Sequence, residues 1–306
     1  MEGATLTFEE AQEIYFDTME KAKLAYKFKL GQPLIESKEL PRLPLHMRDL
    51  HQYYKLDSST AGNSGFEVVI KADSVFHHLD EMLHHVEYED LFQLYQRRDM
   101  GTQLMMLWSL RTAELCKTAK IKDFAFLDPC LVNELNITGK GYADVNDLFK
   151  RVKYLIAGFL EKGQTEILLT YNCSFHFVFV TIDFDFTRIE VWDSKQRSLD
   201  YVNDLVNLLN RVKAELDKEK KSHTPFVVAS SSMQCLDQPE GSNECGLYAM
   251  WAMLRHIGIK MEEGNQDRKT HGHNKLTEQE IRGFQEEIAN FILEHVVSVE
   301  GKYSIA

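Results

Sequence analysis

Helices lead, three consecutive strands sit in the middle and helices close the chain. That order predicts an α+β domain built on a largely antiparallel central sheet with helices around it. Two observations carry the prediction. Residues 165–171, 175–183 and 187–192 are short runs rich in β-branched and aromatic residues, the last two joined by the turn-like Asp183-Phe-Asp-Phe-Thr. On either side of them the apolar residues recur at helical spacing. With 306 residues, the chain has room for one large domain, or for one domain and an extension.

The elements follow in order. Residues 7–29 carry Ala11, Ile14, Tyr15, Met19, Ala22, Ala25 and Tyr26 at helical spacing, with Thr7 placed to cap the helix and Glu9 and Glu10 in its first turn. Residues 31–44, with three prolines, read as an extended connector rather than a packed element. The stretch 58–65 (Ser-Ser-Thr-Ala-Gly-Asn-Ser-Gly) is a loop by composition and marks a soft boundary. The expected organisation is therefore an N-terminal helical extension and linker over 1–60, then a domain over 65–306. Phe66–Lys71 reads as a short strand, 73–85 and 88–95 as helical turns, and 102–117 as a helix carrying Leu104, Leu107, Trp108, Leu110 and Leu115. Phe124–Leu127 is short and apolar, 144–159 is amphipathic and helical, and a longer helix spans 199–219. A strand is expected over 226–230, a buried helix over 246–257 and an amphipathic helix over 278–297.

Composition narrows the function. Lys plus Arg number 35 against 47 Asp plus Glu, a formal net charge of −12, which argues against a phosphate backbone as the main partner. The five cysteines have no regular spacing and form no CxxC pair, so neither a disulfide framework nor a structural zinc site is expected. No apolar stretch approaches the roughly 20 residues that cross a bilayer, and residues 1–5 do not begin a secretory signal. An intracellular protein with reduced thiols, in nucleus or cytoplasm, is the expectation.

The chemistry concentrates in four places. In Asp237-Gln-Pro-Glu-Gly-Ser-Asn-Glu-Cys-Gly-Leu, a polar loop runs into the buried helix, and Cys245 stands at its start. Helix N–H groups favour a thiolate there, and Gly246 removes bulk beside the sulfur, as a nucleophile needs. His176 opens an alternating strand, rigid and suited to act as a base. Asp193 ends the neighbouring strand, where it can accept the far ring N–H of the histidine across the ~4.8 Å between strands. Gln238, seven residues before Cys245, can supply an oxyanion donor beside the Cys245 N–H, with Gln234 a rival; Pro239 and Gly241 favour Gln238 by turning the loop back. Taken singly, each residue also fits a structural role: buried cysteine, hydrogen-bonded histidine, turn aspartate.

In that order the motifs His176-Phe177, Asp193-Ser194, Gln238-Pro239, Gly241 and Cys245-Gly246 resemble the SUMO/sentrin-specific, Ulp-type cysteine proteases. Phe126-Leu-Asp-Pro129, Tyr171-Asn-Cys-Ser-Phe-His176 and Gln238 to Gly246 look most similar to a plant branch associated with transposable elements. The resemblance spans about residues 124–255 and is fainter over 66–119. It implies a papain-like fold of the Ulp type, with the motif-bearing core over 124–256. It also implies a Cys245–His176–Asp193 triad with Gln238 at the oxyanion hole, no cofactor, and SUMO or a related ubiquitin-like modifier as partner. The reaction implied is cleavage after the modifier's C-terminal Gly-Gly through a thioester. Phe177 stands where the family has Trp, so the resemblance makes Phe177 and Gly246 part of a substrate tunnel whose wall has lost an indole N–H. Two other readings stay open: an inactive protease-like module that binds a ubiquitin-like protein, and a cysteine-triad acetyltransferase. His77, His78, His84 and His85 carry no HExxH motif, so no metal is expected there. His271 and His273 fall in a polar loop, and Lys218–Lys221 reads as a solvated helix end.

Overall fold

The computed structural model describes residues 26–142, 144–218, 224–231, 235–258 and 274–305. The helix predicted over 7–29 lies mostly outside the described residues, and 26–29 are not helical. The first described elements are α1 (Leu45–Leu56), a hairpin of β1 (Gly65–Ile70) and β2 (Met82–Glu87), α2 (Tyr88–Gln96) and α3 (Thr102–Thr118). Two expectations change here. Residues 82–87 are a strand, not helical turns, because Asp73 and His77 take left-handed backbone angles that break a helix and Val68–Ile70 supply a partner edge. The connector 31–44 is packed: Leu34 and Leu43 are buried, the Leu34 N–H donates to His51 Nε2 and its carbonyl accepts from Gln96 Nε2.

Helix α1 escaped the sequence reading, although Met47, Leu50 and Tyr54 fall on one helical face. It follows Pro44 and has no side-chain cap of its own. Its first free N–H groups, of His46 and Met47, instead donate to the Glu286 carboxylate, both at 3.0 Å. Glu286 belongs to the last helix, α8 (Glu278–His295), which opens with a capping box of Thr277 and Glu280. The face of α1 thus joins the same core as Trp108, Met250 and Phe284.

Downstream lie β3 (Phe124–Phe126), α4 (Glu134–Ile137), α5 (Val145–Glu161), β4 (Glu166–Cys173), β5 (His176–Asp183) and β6 (Arg188–Trp192). They are followed by α6 (Asn203–Leu216), β7 (Val227–Ser230) and α7 (Cys245–His256). The five strands order as β3-β4-β5-β6-β7. The three consecutive strands β4, β5 and β6 pair antiparallel as expected, while β3–β4 and β6–β7 are parallel. The sheet is therefore mixed. Its outer strands are reached through the helical crossovers α5 and α6, which return the chain in the same direction.

Period-two alternation splits the sheet between two cores. Phe177, Phe179 and Trp192 face α3, α7 and α8; Val178, Val180, Ile182 and Val191 face α5 and α6. Strand β5 is buried on both faces and holds His176 at its first position. Among the described residues no helix is long and apolar enough to cross a membrane.

The Leu50 side chain is fully buried between α1 and the helical core. Leu50→Ala is expected to lower the unfolding free energy by about 2–5 kcal/mol in urea denaturation, as for other buried leucines. A change under about 0.5 kcal/mol would mean that α1 lies outside the cooperative unit.

Candidate active site

Helix α7 starts at Cys245 with Glu244 before it, and the thiol is only 3% exposed. The Phe177 N–H donates to Cys245 Sγ at 3.4 Å, so the sulfur sits beside the residue that follows His176. His176 Nε2 donates to Asp193 Oδ1 at 2.7 Å. That bond leaves Nδ1 as the bare nitrogen of a neutral ring. Nδ1 is buried and has no hydrogen-bond partner among the described residues. The structure thus sets His176 on Asp193 and the Cys245 sulfur on the N–H of the residue after the histidine, with no hydrogen bond between Nδ1 and the sulfur among the described residues.

Asp193 is held by more than the histidine. Its Oδ1 also accepts from the Lys195 N–H at 2.8 Å. Its Oδ2 accepts from the Tyr201 hydroxyl at 2.8 Å, from Arg197 Nε at 3.1 Å and from the Arg197 N–H at 3.3 Å. The guanidinium also lies over the Tyr201 ring, 4.0 Å from its centroid. Burial alone would raise this carboxyl, but the hydrogen bonds from His176, Lys195 and Tyr201 hold it well below the usual carboxylate range. His176 moves the other way. Burial pushes the imidazole below its ordinary value, against the upward pull of Asp193.

The thiol differs from the sequence expectation. Burial raises Cys245 above an ordinary cysteine, and the N–H groups of Phe177 and Gly246 recover only part of that shift. Burial thus moves both groups toward their uncharged forms, the thiol and the neutral imidazole.

Gln238 is tied at both ends. Its Oε1 accepts from Ser194 Oγ at 2.8 Å, its Nε2 donates to the Ser242 carbonyl at 2.7 Å, and its own N–H donates to the Ser194 carbonyl at 3.1 Å. The second hydrogen of Nε2 has only a long contact with Ser242 Oγ, at 3.5 Å, and can turn to another acceptor. Gly241, at φ 75°, makes the turn closed by the Ser242 N–H on the Pro239 carbonyl, a left-handed position that suits glycine. The rival Gln234 lies outside the described residues.

The two residues expected to line a tunnel take other places. The Phe177 side chain is 3% exposed and belongs to the core, so its backbone N–H rather than its ring meets the sulfur. A Cβ on Gly246 would lie 2.3 Å from the Met100 methyl and 3.3 Å from Met105 Sδ. Gly246 therefore lets α7 close on the start of α3 rather than opening the sulfur to approach.

Ser194, Lys195, Arg197 and Tyr201 are the supporting residues that the sequence left without a role. Their signal is faint, since a loop after a strand carries no periodicity. The four histidines of residues 77–85 lie in the turn before β2 and on β2 itself. His78 and His84 converge on the buried Asp128 carboxylate, at 2.9 and 3.6 Å. Among the described residues no group of three or more His, Cys, Asp or Glu is arranged to hold a metal ion. His271 and His273 lie outside the described residues.

At the mouth of β4 and β5, Cys173 pairs with His176 across a two-residue turn. Both turn residues, Ser174 (φ 51°) and Phe175 (φ 61°), are left-handed, as a tight hairpin requires. Asn-Gly is the usual solution; here a bulky ring takes the second position and is 89% exposed. Ser174 is anchored through its N–H and Oγ to the Glu134 carboxylate.

A sequence model of the Ulp1 protease family, C-terminal catalytic domain, matches residues 98–299. The chain belongs to that family and is a cysteine-type peptidase, a hydrolase. Similar solved structures include a de-sumoylating protease, at 10% identity and a TM-score of 0.49, covering 74% of this chain and 93% of the other. The C-terminal Ulp1 protease domain in complex with Smt3, the yeast ortholog of SUMO, shows 13% identity and a TM-score of 0.46, with 87% and 98% covered. The catalytic domain of a Chaetomium thermophilum Ulp1-like SUMO protease shows 13% identity and a TM-score of 0.47, with 87% and 93% covered. The comparison with curated proteins gave no match.

An ionised Asp193 adds stability above the unfolded carboxylate pKa, about 3.9, and loses it as pH falls through the lower folded value. The gap in unfolding free energy between wild type and Asp193→Asn, measured in urea, is expected to shrink from pH 6 to pH 3. A gap that stays constant would show that the carboxylate is not held ionised by its donors.

Proposed function

We propose that the chain is a protease for SUMO or a related ubiquitin-like modifier, cutting after the C-terminal Gly-Gly in precursors, conjugates or both. The reading is carried by one observation: a cysteine at a helix start, touched by the N–H of the residue after a histidine that is fixed on an aspartate. Membership of the Ulp1 protease family supports the class of substrate, SUMO or a related ubiquitin-like modifier.

In this reading His176 Nδ1 takes the Cys245 proton as the sulfur attacks the glycine carbonyl. The charge on the ring is balanced by Asp193, which needs no further proton movement. The carbonyl oxygen, now negative, is met by the Cys245 N–H, which has no partner within its helix, and by the second hydrogen of Gln238 Nε2. His176 returns the proton to the departing amine, leaving a thioester. Water, deprotonated by the same nitrogen, releases the modifier and restores the thiol. A starting pair of thiol and neutral imidazole suits this order, because the base is already free of a proton.

The surface beside the histidine fits a protein substrate. Phe175, Leu135 and Tyr142 are exposed apolar side chains on segments joined by the Ser174–Glu134 bonds and by the Gly141 N–H on the Leu135 carbonyl. Holding Phe175 in a left-handed turn costs roughly 1–2 kcal/mol, a cost that docking would offset.

Two outcomes are expected. Cys245→Ala abolishes release of the modifier from a C-terminally extended precursor while binding of the mature modifier is kept; cleavage that persists in the variant would remove Cys245 from the chemistry, and binding without cleavage in the wild type would favour a binding module. Phe175→Asp raises KM for the precursor about tenfold or more and leaves kcat within a factor of about two. Equal loss in kcat would place Phe175 in the chemistry instead of in docking.

A further inference from the structure

A second surface lies away from the cysteine. A groove of about 420 Å³ runs between the C-terminal end of α3, the turn after it, strand β3 and the head of β4. Four lysines line it (Lys117, Lys120, Lys122 and Lys162), and no carboxylate does. That is notable in a chain of formal charge −12. Lys162 is engaged with Asp73 and His77. Lys117, Lys120 and Lys122 are exposed and make no ion pair among the described residues.

The backbone shapes the groove toward those charges. Lys120 stands just past α3 with φ 59°, and the bonds of the Lys120 N–H to the Lys117 carbonyl and of the Ile121 N–H to the Cys116 carbonyl close the helix around it. Glycine is the usual residue at such a position, so the lysine is held there against its backbone preference. Between the charged rims the floor is apolar, with Ala113, Ile121 and Phe124. Ser74 Oγ, buried in the wall, has no hydrogen-bond partner among the described residues.

We propose that this groove binds an acidic peptide segment, its carboxylates on Lys117, Lys120 and Lys122 and an apolar side chain on the floor. A peptide fits better than nucleic acid, because the remaining chain surface is predominantly acidic and repels a long polyanion. Phe124 pairs through Glu166 with Asp183, the end of β5 opposite His176. Seven residues of strand separate the two ends, roughly 23 Å at 3.3 Å per residue. Occupying the groove therefore leaves the cysteine free, and the groove favours proteins that carry an acidic stretch near the cleaved bond.

The test is fluorescence anisotropy with a labelled peptide of about eight residues, glutamates around a central Leu-Phe. Wild-type protein and Cys245→Ala bind it alike, with affinity falling as salt rises. The variant Lys117→Glu/Lys120→Glu/Lys122→Glu loses at least about tenfold in affinity, while labelling of Cys245 by a small electrophile is unchanged. A Lys→Gln triple variant, checked by circular dichroism, separates charge loss from misfolding and is expected to show a smaller loss. Equal binding of a Gln-substituted peptide, unaltered binding by the charge-reversed variant, or tighter binding of a single-stranded oligonucleotide would each overturn the proposal. Since Cys245→Ala reads the groove without catalysis, failure here is distinct from failure of the protease assignment.

Discussion

The site depends on one buried carboxylate. Asp193 sits almost wholly out of water and accepts five hydrogen bonds, from His176, Lys195, Tyr201 and twice from Arg197. A buried charge with that many donors is fixed in rotamer and in protonation state. It commits His176 Nε2 as a donor and leaves Nδ1 as the bare nitrogen of the neutral ring. Because β5 and β6 are adjacent and antiparallel, the aspartate and the histidine share one end of the sheet without any loop having to carry the histidine. Arg197 reaches further, to Cys173 Sγ at 3.5 Å, so the hairpin strand beside His176 is tied to the same anchor.

The rest of the fold delivers the sulfur to that anchor. The buried helix α7 crosses the face of β5, with Met250, Met253 and Leu254 in the core. Its close approach to α3 is permitted by Gly246, where any side chain would meet Met100. On the loop side, Ser194 holds Gln238 through two bonds, which joins the segment after β6 to the segment before α7. Two stretches separated by more than forty residues of sequence are therefore tied together ahead of α7.

What the sequence shows follows from periodicity and order. Strands β4, β5 and β6 and helices α3, α5 and α8 carry alternation or helical spacing strong enough to read directly. The positions of Cys245, His176, Asp193 and Gln238 follow from motif order. What stays hidden is long-range. Helix α1 is polar on three sides and capped by Glu286, which is about 240 residues away. The parallel edge strands depend on crossovers that local pattern does not reveal. Tyr201 and Arg197 find Asp193 only through the loop's path. Local sequence carries no sign of the packing that surrounds Phe177 and Gly246, nor of the burial that raises the Cys245 thiol.

The most direct measurement is a reaction of the purified protein with SUMO, NEDD8-like and ubiquitin probes that end in a vinyl sulfone, followed by mass mapping of the adduct. The expected result is a single adduct on Cys245, formed with a SUMO-type probe and lost in His176→Ala. An adduct on another cysteine, or folded protein that reacts with none of the probes, would contradict it.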